Sequence, residues 1–277
     1  MNMATVERVL STGLAAAGAV SPRLGGKLAL RLFCTPIARP YSGGARTFMA
    51  EATRRDVSWG GGTVATYELG DGPAVLLVHG WSSHGASMRG FAHGLVERGL
   101  KAVSLDLPAH ANSTGKTANM ILAAEALTAV IAQAGPFPYA VCHSFGAPSM
   151  LLALSRGAGP APERLVTVGA PHDIDKVFTD YAARFHVPPK AERNMRARID
   201  DHFGGPFLDF DIAAQAWTFG DRLMVVHDRN DTDVPYAEGV RMAGEHGRLL
   251  ATEGLGHNRV LRSPAVIDAV GDFLAQD

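Results

Sequence analysis

Apolar residues fall in short, regularly spaced bursts over most of the chain. Residues 74–78 form a continuous apolar run, the mark of a strand buried on both faces. Residues 64–69 read as a strand before it, with Gly70-Asp71-Gly72-Pro73 as the turn between them. Residues 101–105, 139–142, 165–168, 223–226 and 248–251 have the same character. Helical spacing separates these runs over residues 87–98, 119–134, 145–156, 236–246 and 264–275, with Gly99, Gly135 and Gly157 as stops. Strands alternating with helices predict βαβ units and a mostly parallel sheet, an α/β fold.

Two stretches break this rhythm. Residues 172–220 hold no convincing strand, yet Val177, Tyr181 and Phe185 recur at helical spacing. An insertion of that size between two strands reads as a helical cap. At the other break, residues 9–20 are small and apolar after Arg8, but they lack the basic lead and greasier centre of a signal peptide. A surface helix is the simpler reading. Ser21-Pro22 then offers an N-cap and a first-turn proline for a second helix. In it Arg23, Lys27 and Arg31 recur beside Leu24, Leu28 and Leu32. A solvated face next to a packed face explains the pattern, and a basic face for an anionic membrane is the alternative. Pro36, Pro40 and Gly43-Gly44 read as a connector. The expected organisation is a helical extension over 1–56, a core over 57–171 and 221–277, and a helical insertion over 172–220.

Composition narrows the function classes. The chain has 277 residues, 47% apolar and 19% charged, with a formal charge of −1, which gives nucleic acid no electrostatic footprint. Its two cysteines, Cys34 and Cys142, have no metal-type spacing and fit a reduced, cytoplasmic setting. No apolar run reaches the roughly 18 residues that a membrane span requires. Gly115-Lys116-Thr117 lacks the glycine five residues earlier that a phosphate loop needs, since His110 stands there. Eleven histidines include no H-E-x-x-H, so no metal is expected.

The candidate chemistry sits at strand ends. In Cys142-His143-Ser144-Phe145-Gly146 a strand runs straight into a helix, with a serine at the junction and small residues two positions to either side. A turn that sharp strains the backbone and leaves no room for bulk at those flanking positions. A serine hydroxyl is a weak nucleophile and needs a base, which in turn needs an orienting acid. Two later loops supply candidates. One is residues 227–235, where Asp231 is preferred to Asp228 and Asp233; the other is residues 253–258, with His257 after the tight-loop glycines Gly254 and Gly256. Backbone N–H groups of Phe145 and of Trp81, in Val78-His79-Gly80-Trp81, would form an oxyanion hole. His79 reads as a loop brace. A dehalogenase would carry aspartate where Ser144 stands.

These segments, with Asp106-Leu107-Pro108-Ala109-His110-Ala111-Asn112-Ser113, resemble the α/β-hydrolase family from about residue 57 onward. Cys142, Ala109 and Ala111 depart from its pattern, which has glycine at each position. The resemblance implies an eight-stranded sheet flanked by helices, the serine at the nucleophile turn, and a cap over the pocket. The expected activity is hydrolysis of a carboxylic ester or related acyl compound of hydrophobic character, with Ser144, Asp231 and His257 as triad and no cofactor. Acyl transfer by the same triad and a non-catalytic binding protein are the alternatives. Trp81, Trp217 and Phe219 are expected near the pocket.

Overall fold

The computed structural model describes residues 3–203 and 210–276. In chain order the elements are α1 (Met3–Val20), α2 (Pro22–Phe33), α3 (Gly43–Glu51), β1 (Thr53–Trp59), β2 (Gly62–Leu69), β3 (Ala74–Val78) and α4 (Arg89–Val96). There follow β4 (Lys101–Leu105), α5 (Met120–Ala134), β5 (Tyr139–His143), α6 (Gly146–Ser155), β6 (Arg164–Val168), α7 (Ile174–Arg184) and α8 (Pro189–Phe203). The last are α9 (Ile212–Trp217), β7 (Leu223–Asp228), α10 (Tyr236–Ala243), β8 (Arg248–Thr252), α11 (Gly256–Arg259) and α12 (Pro264–Leu274).

The eight strands form one sheet in the order β1-β2-β4-β3-β5-β6-β7-β8. β1 and β2, and β2 and β4, pair antiparallel, and every other pairing is parallel. β3 and β5 are the inner strands, and residues 75–78 and 140–142 are fully buried. Helices cover the sheet because parallel strands need crossovers, and these bury apolar faces such as Phe91 and Leu95 of α4 and Val270 and Phe273 of α12.

The described residues divide between two compact units, at 35/36, 172/173 and 211/212. The sheet-bearing unit thus begins well before residue 57, the start expected from sequence. Gly43 and Gly44 do not form a connector. They open α3, where Ser42 caps the Ala45 N–H at 3.3 Å and Phe48 is buried in the core. β1 then covers residues 53–56, which had been assigned to the extension. Only Val57 of that strand is buried, so its sequence carries no alternation that would announce it. The insertion is also shorter than 172–220, because α9 belongs to the sheet-bearing unit.

The second unit combines α1 and α2 with α7 and α8. The Ser21 side chain accepts the Leu24 N–H and Pro22 occupies the first turn of α2, as the sequence predicts. α1 and α2 meet through glycine: a Cβ on Gly25 would lie 2.5 Å from the Cα of Gly18. In α7 the packed face is Phe178 and Ala182 with Tyr181, while Val177 is exposed. Phe33 packs against Phe178 in a tilted contact and against Tyr181 edge-on, with centroids at 4.4 and 4.9 Å. Cys34 in this unit and Cys142 in β5 are both buried, and burial pushes each thiol up, Cys34 to about 11.

Candidate active site

Ser144 stands between the end of β5 and the first turn of α6, at φ 50°. A non-glycine residue in that region is strained and persists only where its surroundings enforce it. Here the enforcement is visible. The Ser144 N–H donates to Val168 O at 2.8 Å, which extends the β5–β6 ladder through the turn. At position 146, a Cβ would lie 2.7 Å from His79 O and 2.8 Å from Val78 O, so only glycine lets α6 start so close to β3. Cys142 fits two positions before the serine because it points into the fully buried strand layer.

The ladder continues from β6 to β7, with the Gly169 N–H donating to Val226 O at 2.9 Å. β7 delivers the acidic loop, and there the three aspartates separate by their bonds. Asp228 accepts from the Asn230 N–H at 2.9 Å, the Leu255 N–H at 2.9 Å and the Thr252 hydroxyl at 2.7 Å, so it ties two loops together. Asp233 is exposed. Asp231 faces His257, with Oδ2 2.7 Å from Nδ1, while its Oδ1 accepts the N–H groups of Asp233 and Val234 at 2.8 and 2.9 Å. Burial works to raise the Asp231 pKa. The hydrogen bonds from His257 and those two N–H groups outweigh it and hold the carboxyl below its usual range.

His257 follows Gly256, whose φ of 63° makes the turn into α11. Gly169 leaves space for the pair, since a Cβ there would lie 3.2 Å from His257 Nδ1 and 3.3 Å from Asp231 Oδ2. The sequence reading gave no role to His143, the residue before the serine. Its Nε2 donates to the carbonyl oxygen of His257 at 3.0 Å, with the two rings 4.7 Å apart. Burial, with the nearby His257 adding to it, lowers the His143 pKa to about 3, so this ring stays neutral. The serine turn and the histidine loop are thereby linked. Ser144 Oγ makes no hydrogen bond among the described residues. The motif Cys142-His143-Ser144 contained the signal for this anchor, but nothing in it indicated what His143 would touch.

The loop after β3 runs beside the serine. A Cβ on Gly80 would lie 2.9 Å from both Ser144 Cβ and His143 Nδ1, and the Trp81 and Phe145 rings meet edge-on at 5.1 Å. Neither the Trp81 N–H nor the Phe145 N–H is used in a hydrogen bond among the described residues. His79 braces the loop. Its Nε2 accepts the Leu107 N–H at 2.9 Å, which fixes the proton on Nδ1, and Nδ1 donates to Gly80 O at 2.7 Å. Burial holds that imidazole neutral, far below its ordinary pKa. His110 does the same one step out, accepting the Ser82 N–H at 3.0 Å and donating to Pro108 O at 2.9 Å. Asp106 secures the segment from below by accepting the N–H groups of Gly85 and Asn112 and the Tyr67 hydroxyl.

Trp217 and Phe219 are not part of this neighbourhood. The Trp217 indole donates to Arg241 O near the end of α10, and Phe219 lines a hollow with Leu154 and Ser155 at the far end of α6 from Ser144. Both precede β7, whereas the site lies beyond the strands' carboxyl ends. Aromatic composition had suggested them, and their position in the connection overrides it. Among the described residues no group of three or more histidine, cysteine or acidic side chains is arranged to hold a metal ion.

No family model and no curated protein sequence matches the chain. Solved structures do. The esterase Pf2001 of Pyrococcus furiosus superposes with a TM-score of 0.65 at 17% identity, covering 87% of this chain and 98% of that one. An esterase from Exiguobacterium antarcticum gives 0.63 at 14% identity, covering 81% and 100%. The epoxide hydrolase VrEH1 of Vigna radiata gives 0.57 at 17% identity, covering 82% and 99%. With its eight-stranded sheet and strand–turn–helix junction at Ser144, the chain has the α/β-hydrolase fold.

Proposed function

We propose that the protein is a serine hydrolase that cleaves a carboxylic ester, or a related acyl compound of hydrophobic character, through an acyl-enzyme. The observation that carries this reading is the 2.7 Å bond between His257 Nδ1 and Asp231 Oδ2, in a loop tied at 3.0 Å to His143, the residue before a serine held at φ 50° in the turn after β5. With Nδ1 occupied by the carboxylate, the other imidazole nitrogen is the one left to take the Ser144 proton. Ser144 Oγ then bonds to the substrate carbonyl carbon, and the N–H groups of Trp81 and Phe145 receive the developing oxyanion. As the tetrahedral intermediate collapses, His257 returns the proton to the departing alkoxide. Water, deprotonated by His257, attacks the acyl-serine, and collapse releases the acid with the proton returned to Ser144 Oγ. The neighbours carrying the name esterase or hydrolase agree with hydrolysis in general.

The test pairs wild type with Ser144→Ala. Treatment with a fluorophosphonate probe and assay on p-nitrophenyl esters of increasing acyl length should give labelling and turnover in wild type, both lost in the variant. A folded wild type that neither labels nor turns over any ester would remove the serine-hydrolase reading.

A further inference from the structure

The helical unit contains a surface that the proposed chemistry does not use. In α2, Gly25, Gly26 and Ala29 are buried, whereas Leu24 and Leu28 are 47% and 39% exposed. This is the reverse of the usual arrangement for a water-facing helix, in which large aliphatic side chains turn inward. The cause is close packing. Gly25 approaches Gly18 of α1, and a Cβ on Gly26 would lie 2.7 Å from Ala191 O of α8, so only the smallest residues fit the inner face. The larger ones are left outside.

Arg23, Lys27 and Arg31 share that outer face. At about 100° per residue, positions 23, 27, 31, 24 and 28 occupy a single arc of roughly 140°. The three cations make no ion pair or side-chain hydrogen bond among the described residues. Val20, immediately before the Ser21 cap, is 85% exposed, and Val9 of α1 is 61% exposed. Charge is segregated as well. The first 35 residues carry Arg8, Arg23, Lys27 and Arg31 against Glu7 alone, in a chain whose formal charge is −1.

We infer that this face of α2 docks onto an anionic lipid surface, with Leu24 and Leu28 entering the interface and Arg23, Lys27 and Arg31 meeting the headgroups. Leucines interleaved with unpaired cations on one arc, with no acidic residue among them, are complementary to negative headgroups above an apolar layer. The attachment is peripheral, since no helix among the described residues is long and apolar enough to cross a membrane.

The test is flotation of the full chain with phosphatidylcholine vesicles, with and without phosphatidylglycerol, at low and high salt. Wild type should float with the anionic vesicles, and should do so weakly with the neutral ones or at high salt. Reversing the charges together (R23E, K27E and R31E) should weaken binding by more than about 100-fold. L24S with L28S should weaken it severalfold, with unchanged circular dichroism in both variants. Ser144→Ala should bind like wild type, which separates this surface from the proposed catalytic site. Equal flotation with neutral and anionic vesicles would overturn the inference, as would binding that neither variant affects. So would lipid-free dimerisation in sedimentation that L24S with L28S abolishes, because a second copy would then be the occupant.

Discussion

Ala109 and Ala111 sit at φ 61° and 43°, a region that L-residues enter at about 1–2 kcal/mol each. Both stand where the resembled motif has glycine, and the loop keeps its left-handed turns although the residues do not favour them. Glycine relieves the strain but returns about 0.4–1 kcal/mol of freedom to the unfolded chain. Ala109→Gly and Ala111→Gly should each therefore stabilise the protein by roughly 0.5–1 kcal/mol, read as a higher urea midpoint at constant m-value. The proposed acid, Asp231, yields a sharper contrast. Asp231→Asn should lower kcat for ester hydrolysis by about 10⁴, because the asparagine amide stabilises the wrong imidazole tautomer and cannot offset the imidazolium charge. Asp233→Asn, at an exposed side chain two positions away, should leave kcat within about twofold. Similar losses in both variants would deny Asp231 its special role. Sequence reduced this choice to three aspartates. The bonds they make separate them, above all that of Asp231 to His257, and so close a spacing along the chain does not show which way each side chain turns.

Elements were legible where burial is one-sided or complete. β3 to β7 announced themselves as apolar runs, and Asn119 and Gly157 marked helix ends that the structure places within a residue or two. β1 escaped because Arg54, Arg55 and Asp56 are exposed on an edge strand, where charge discourages pairing with another chain. α3 escaped because its two opening glycines resemble a break, and its evidence lies in Ser42 and Phe48 instead. The α6 start was read correctly as requiring a small residue, and its tolerance can be measured. Gly146→Ala would drive a methyl into the carbonyls of residues 78 and 79. It should destabilise by about 1–3 kcal/mol and lower esterase turnover more than a hundredfold. Unchanged turnover would mean that the nucleophile turn is softer than its contacts imply.

Across the whole molecule, buried histidines set the acid limit. His79, His84, His110 and His143 are all shifted down by burial, His84 to about 4 and His143 to about 3. The unfolded chain binds these protons near pH 6.5 and the folded one does not. Stability is therefore complete above about pH 6.5 and falls as the pH drops toward the folded values, by up to about 1.4 kcal/mol per pH unit for each buried ring. Asp231, held low, adds to the loss at still lower pH, whereas Asp106, raised by burial, opposes it. Urea unfolding between pH 7 and pH 4 should show a steep decline, and a flat profile would contradict the neutral state of these rings.

The two cysteines have a practical consequence. Both are enclosed and held as thiols, and the thiolate is the form that alkylates. The native chain is thus a silent background for maleimide chemistry, and one cysteine placed at exposed Val9 would carry a dye or spin label alone, with no need to strip the natural residues first.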